Sequence, residues 1–248
     1  MAHYDSAFYA NRHASTGSPA KRILSLLEGH FGAPRSVFDL GCGVGTWLSA
    51  ASELWATEEI LGIEGPWVKD EELVIPSDRI LRFDLSREPD LGLSDRFDLA
   101  MCLEVAEHLP QASGPWLVDE LTRRSALILF SAAVPGQGGV NHVNEAWPSY
   151  WRALFEARGY HALDVLRPQI WNDDSIPFWY RQNAIIFAGP ERLERGQSPD
   201  ATGPALDIVH PVLFARTVAA ARGAQGVRQS WKALIASARS WASRKHSS

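Results

Sequence analysis

The feature that most restricts how this chain can fold is a series of short apolar runs that scarcely alternate with polar residues. SVFDL begins at Ser36, ILGIEG spans Ile60 to Gly65, RILRFDL spans Arg79 to Leu85, FDLAMCLEV spans Phe97 to Val105, and ALILFSAAV spans Ala126 to Val134. Helical patterns separate several of them, at Ser18–Gly29, Thr46–Trp55 and Trp116–Arg124, and a further helix is expected at Pro148–Arg158. Strands of continuous apolar character joined through helices belong to parallel sheets covered on both faces. Two more strands, in YHALDVL and NAIIFAG, follow the last helix. Between them lies RPQIWNDDSIPFWYRQ, too long and too aromatic for a plain hairpin.

The first strand runs directly into Asp39-Leu40-Gly41-Cys42-Gly43-Val44-Gly45, and a helix opens after it. Glycines at such a turn let a ligand approach the backbone where a side chain would block it. The G-x-G-x-G spacing is tighter than the dinucleotide fingerprint, and a tight structural turn would use the same residues. Acidic residues at three strand ends, Asp39, Glu64 and Asp84, add to the case for a ligand.

VFDLGCGVGTW, LGIEG, RFDLS and FDLAMCLEVAEHL resemble, in order and spacing, the motifs of class I S-adenosylmethionine-dependent methyltransferases. The resemblance covers roughly Val37 to Gly189. It implies a Rossmann-like, doubly wound, seven-stranded and mostly parallel α/β sheet with an antiparallel last strand. It also places S-adenosyl-L-methionine across the carboxyl ends of the first four strands, in keeping with the general rule for open α/β sheets. On this likeness Gly41, Gly43 and Gly45 pass close to the methionine and ribose, and Glu64 accepts from both ribose hydroxyls. Asp84 accepts from the adenine amino group, Leu85 lies beside the ring, and Trp67 covers it.

Methyl transfer is an in-line displacement at a sulfonium carbon, so the protein mainly aligns the acceptor and excludes water. A hydroxyl acceptor must also lose its proton, to a base or through metal coordination. CLEVAEHLP offers Glu104, Glu107 and His108, which share one face if the segment is helical. The loop PGQGGVNHVNEAWPSYW, on the same sheet edge, adds His142. Three readings of these residues stand side by side. Glu104, Glu107, His108 and His142 form a divalent-metal site for Mg²⁺ or Mn²⁺; or His142, with Glu104, is catalytic without metal; or the carboxylates merely favour a helix start. E-x-x-E-H with a later His resembles the metal-holding pattern of small-RNA 2′-O-methyltransferases and ubiquinone-pathway O-methyltransferases, although the gap to His142 is short.

The aromatic insertion Trp171 to Tyr180, with Asp173, Asp174 and Arg181, is either a wall of the acceptor pocket or packing at the sheet end. The start, YDSAFYANRHAS, is a candidate lid through Tyr4, Phe8, Tyr9 and His13. Domain boundaries are expected at 1–190 for the methyltransferase domain, 191–204 for a linker rich in Gly, Ser and Pro, and 205–248 for a C-terminal helical extension. That extension reads as two amphipathic helices, Leu206–Ala221 and Val227–Ala242, the second basic, packed on the domain or joining a homodimer.

From Glu191 onward there are nine Lys/Arg against four Asp/Glu, while the preceding residues carry fifteen against twenty-five. An acidic body argues against a long nucleic-acid footprint. Cys42 and Cys102 lie far from any paired framework, which favours a reducing, cytoplasmic setting, and no apolar stretch approaches a membrane span. The leading expectation is O-methylation of a small-molecule or glycan hydroxyl. The alternatives are an RNA 2′-O-methyltransferase and a non-catalytic cofactor-binding module.

Overall fold

A computed structural model of the chain describes residues 6–57, 59–193 and 206–221, with side chains from residue 16 onward. Seven strands form one sheet: β1 (Ser36–Leu40), β2 (Glu59–Glu64), β3 (Ile80–Arg82), β4 (Leu99–Leu103), β5 (Leu127–Ser131), β6 (His161–Leu163) and β7 (Ile185–Ala188). Their order is β3-β2-β1-β4-β5-β7-β6. Neighbours from β3 through β5 pair in parallel, and β7 runs antiparallel to both β5 and β6. The doubly wound sheet with an inverted last strand is therefore present.

The apolar runs lack alternation because both faces are covered. Val37, Leu99, Met101, Leu103, Leu127, Leu129 and Ile186 join one core, against α1 (Ser6–Phe31) and α2 (Thr46–Trp55). Their strand neighbours Phe38, Leu40, Ala100, Cys102, Ile128, Phe130 and Phe187 join the other, against α3 (Gly114–Arg124) and α4 (Pro148–Glu156). Successive strand residues point to opposite faces, so each face needs its own apolar set. Every residue of β4, β5 and β7 is buried.

Three expectations change in detail. The first helix extends well before Ser18, so the amino-terminal segment continues α1; Tyr4 and the side chains of Phe8, Tyr9 and His13 lie outside the described residues. The aromatic insertion folds into two short helices, α5 (Arg167–Ile170) and α6 (Phe178–Asn183). The third change concerns the segment after β4, which does not open a helix. Glu104 takes a left-handed backbone (φ 56°), a single 3-10 turn covers Ala106–His108, and Pro110 leads to another short turn before α3. The i, i+3, i+4 face expected for Glu104, Glu107 and His108 is therefore not formed, because left-handed geometry at Glu104 breaks the helical path at its first member.

The chain falls into two compact units, residues 1–208 and Val209 onward. In the second unit the described helix is α7 (Pro211–Ala221), shorter than the expected Leu206–Ala221. The expected helix at Val227–Ala242 lies outside the described residues. Among the described residues no helix is long and apolar enough to cross a membrane, and both cysteines are buried free thiols.

Candidate active site

The carboxyl ends of β1 to β4 frame a cavity of about 770 Å³, within the range of roughly 300–1,000 Å³ usual for small-molecule sites. The acids arrive in sheet order: Asp84 after β3, Glu64 at the end of β2, Asp39 on β1 and Glu104 after β4 all line it. No Lys or Arg belongs to this lining among the described residues.

The three glycines of the loop serve different ends. A Cβ on Gly41 would come 2.5 Å from Val105, and one on Gly45 would come 2.6 Å from Ile75, so both positions are closed by packing. Gly43 has φ 58° with open space where a Cβ would stand, and its N–H donates to Glu64 Oε2 at 2.8 Å. Gly41 and Gly43 line the cavity, whereas Gly45 sits behind it at the start of α2.

Glu64 Oε1 accepts from the Gly65 N–H at 2.7 Å. Burial raises its carboxyl, while donors from Gly65, Gly43 and the Trp67 side chain, with the Arg82 charge, act to lower it. The Trp67 indole lies directly over Gly65, where any Cβ would overlap its ring. Asp84 caps the turn Leu85–Arg87, accepting from Ser86 N at 3.1 Å and Ser86 Oγ at 2.6 Å, and Leu85 lines the cavity beside it. Asp39 is 2 % exposed. Burial, then the nearby Glu64 charge, pushes its carboxyl up to about 8.

Beyond β1 the lining becomes more apolar, with Leu103, Val105, Leu109, Val143 and Tyr180 alongside Glu104 and His108. Tyr180, from the aromatic insertion, meets Trp47 edge to face at 5.3 Å between ring centres. Phe178 and Ile176 of the same insertion are buried, so that segment both lines the cavity and packs the sheet.

The structure brings three of the four residues expected at a metal site together and sets the fourth apart. Atoms of Glu107, His108 and His142 able to bind a metal lie within 4.8 Å of one another. The His108 and His142 rings meet edge to face at 4.9 Å. Backbone bonds hold the two loops in this register: Val143 N and Asn144 N both donate to the Glu107 carbonyl, at 2.8 and 3.1 Å. His142 Nδ1 lies 2.9 Å from Glu145 Oε1, and Glu145 also accepts from Gly136 N and Gly138 N. Burial alone would raise the Glu145 carboxyl, but donation from His142, Gly136 and Gly138 outweighs it and holds the group below its ordinary value. A carboxylate beside Nδ1 orients the His142 ring and turns its Nε2 away from Glu145. That nitrogen lies over Gly139, where no side chain would fit. His108 lines the cavity; His142 stands behind it.

Glu104 lies apart from this group, in a set of amides that sequence reasoning missed. Asn183 Nδ2 donates to its Oε1 at 3.1 Å and Gln137 Nε2 to its Oε2 at 3.0 Å. Gln137 Oε1 accepts in turn from Asn183 and Gln182, and Asn183 Oδ1 from Gln182. Arg167, 1 % exposed, pairs with Asp164 through two 2.7 Å contacts and donates to the Gln182 carbonyl. The only sequence signal was the polar triplet Arg181-Gln182-Asn183 directly before an apolar strand.

This combination defines an α/β enzyme with a nucleoside-sized cavity at the carboxyl edge of its parallel strands and an acid at each successive strand end. Residues 10–126 match the family model for a methyltransferase domain, which supports the expected class I S-adenosylmethionine-dependent family for that part of the chain. Among solved structures it is similar to a sugar N-methyltransferase from Streptoalloteichus sp., at 14% identity and TM-score 0.54, over 74% of this chain and 91% of that one. It is also similar to a putative O-methyltransferase from Nostoc punctiforme, at 12% identity and TM-score 0.53, over 74% of this chain and 59% of that one. At such identities the likeness speaks for the fold. No curated protein matches the chain at a significant level.

Proposed function

We propose that the enzyme transfers the methyl group of S-adenosyl-L-methionine to a hydroxyl of a small molecule, a sugar being the favoured type. The observation that carries this reading is His108 in the cavity wall, backed by His142 and Glu145. The hydroxyl oxygen attacks the methyl carbon and the C–S bond breaks. Its electron pair stays on sulfur, giving S-adenosylhomocysteine, and the hydroxyl proton passes to a His108 ring nitrogen. The leaving group is good, so alignment and removal of that proton are the protein's tasks. His142 acts through His108, held in place by Glu145.

A phosphate-rich acceptor fits poorly, because the described lining carries carboxylates and no Lys or Arg. This favours a small acceptor over an RNA end.

The test is methyl transfer from labelled cofactor to sugar, phenol and RNA pools. His108→Ala is expected to lower kcat about a hundredfold, in the range of positioned acid–base groups, with the cofactor Kd unchanged. His142→Ala is expected to lower kcat less and to shift the acidic limb of the pH–rate profile. Unaltered kcat in both variants would remove the base assignment.

A second reading rests on the same three donors. One carboxylate and two imidazoles, with His142 oriented by an outer carboxylate, are a donor set that fits a divalent ion held by Glu107, His108 and His142. Two imidazoles to one carboxylate favour Mn²⁺ over Mg²⁺. Such an ion would lower the pKa of an acceptor hydroxyl. Full turnover after exhaustive chelation is the expected result for the base reading. A Mn²⁺-dependent rise in Tm, abolished by His142→Ala, would transfer the role to an ion.

A further inference from the structure

Glu104 is the one carboxylate of the cavity wall that neither the cofactor assignment nor the histidine group uses. It is 7 % exposed, with both oxygens accepting from side-chain amides. The amides cannot turn over without loss. Gln137 and Asn183 present N–H to Glu104 because their oxygens are already engaged by Asn183 and Gln182. A carboxylate has about four acceptor directions, and the amides occupy two. No ion pair reaches Glu104 among the described residues. A buried carboxylate is favourable only when a positive group completes it.

The order of strands indicates where that positive group belongs. Adenine, ribose and methionine are assigned to the ends of β3, β2 and β1, so the cofactor's cationic portion falls beside Asp39. Glu104 is one strand further on, among groups from the β5 loop and α6, with Tyr180 and His108 in the same wall. This is the acceptor half of the cavity.

We propose that Glu104 anchors an amino group of the acceptor, so that the substrate is a small amine-bearing alcohol of the amino-sugar type. Its ammonium pairs with Glu104 while a hydroxyl of the same molecule faces His108. A protonated ammonium has no lone pair to attack carbon, so the two groups have separate roles. The amides hold the carboxylate in place before the substrate arrives, which spares ordering cost on binding. This proposal rests on the hydroxyl reading above for the site of transfer, but the recognition of an amine stands apart from it.

The probes are glucosamine, glucose and N-acetylglucosamine, bound to the enzyme saturated with S-adenosylhomocysteine and followed by ligand-observed NMR. Glucosamine is expected to bind at least about tenfold more tightly than the other two, a difference typical of one charged hydrogen-bonded contact. Equal binding of the three overturns the proposal, and this comparison needs no variant. Glu104→Gln is expected to erase the preference while the cofactor Kd stays within twofold of wild type. A cofactor Kd raised tenfold or more would assign Glu104 to the methionine ammonium and also overturn the proposal. Mass spectrometry of methylated glucosamine separates the two readings. A methyl on oxygen with equal binding of the three sugars would sink the anchor alone. Selective binding of glucosamine with no methyl on oxygen would sink the hydroxyl assignment alone. A methyl on nitrogen would sink both, because an ammonium held by Glu104 has no lone pair to attack.

Discussion

Glu64→Ala is expected to weaken S-adenosylmethionine binding by roughly 10²–10⁴-fold. Two ribose hydroxyls donating to one carboxylate are worth about 1.5–3 kcal/mol each, and every 1.4 kcal/mol is about tenfold. The variant has a second cost. Glu64 Oε2 accepts from Gly43 N at 2.8 Å and Oε1 from Gly65 N at 2.7 Å, so its carboxylate also braces the glycine loop and the turn after β2. Loss of both bonds frees Gly43 from its φ of 58° and loosens the floor on which the cofactor rests. Glu64→Gln keeps one acceptor oxygen and is expected to fall between the variant and wild type. Calorimetry with the cofactor decides the matter; a Kd for Glu64→Ala within threefold of wild type would refute the ribose assignment.

Asp39 is expected to make both stability and cofactor affinity depend on pH, in opposite directions. Its native carboxyl keeps a proton up to about 8, because burial, then the Glu64 charge, disfavour ionisation, against a starting value of 3.8. Between those limits the native state binds more protons than the unfolded state, so stability falls as pH rises. A shift of roughly four units corresponds to about 5 kcal/mol at pH 8 and above, fully absent below pH 4. Asp39→Asn removes this dependence. At pH 8 its Tm should exceed that of the ligand-free wild type by roughly 10 °C, and near pH 4 the two should converge. The cofactor reverses the balance: its positive charge favours ionised Asp39, so binding expels the proton and tightens as pH rises from 6 to 8. Calorimetry in buffers of different ionisation enthalpy should register about one proton released at pH 7. An unchanging Kd across that window would show that Asp39 does not meet the cofactor's charge.

Much of this site was legible in the chain because cofactor binding reuses local backbone features. A strand running into glycines places its neighbours through chain geometry alone. Acids at the next strand ends follow from the regular β-α-β step. Asp39, Gly41, Gly43, Glu64, Trp67, Asp84 and Leu85 could therefore be placed at this edge by position, and all line the cavity; Gly45, expected with them, does not. The acceptor half was harder to read. Its members come from the β4 turn, the β5 loop and α6, separated by 79 positions between Glu104 and Asn183. Their contacts depend on side chains meeting across loops that have no repeating geometry.

The segment CLEVAEHLP shows where the boundary lies. The apolar runs placed it at the end of β4, and the resemblance to class I methyltransferases, not the spacing, set that strand end beside the expected methyl donor. The near-continuous apolar runs also required a sheet covered on both faces, while its strand order followed from the resemblance. Which carboxylate turns which way was decided only in three dimensions. A left-handed Glu104 and one 3-10 turn send Glu104 to the amides and His108 toward the cavity. Backbone bonds to the Glu107 carbonyl then bring His142 alongside His108. A backbone reversal at a single residue costs only about 1–2 kcal/mol and leaves no periodic trace, so tertiary contacts select it, and through it they divide two carboxylates between two surroundings.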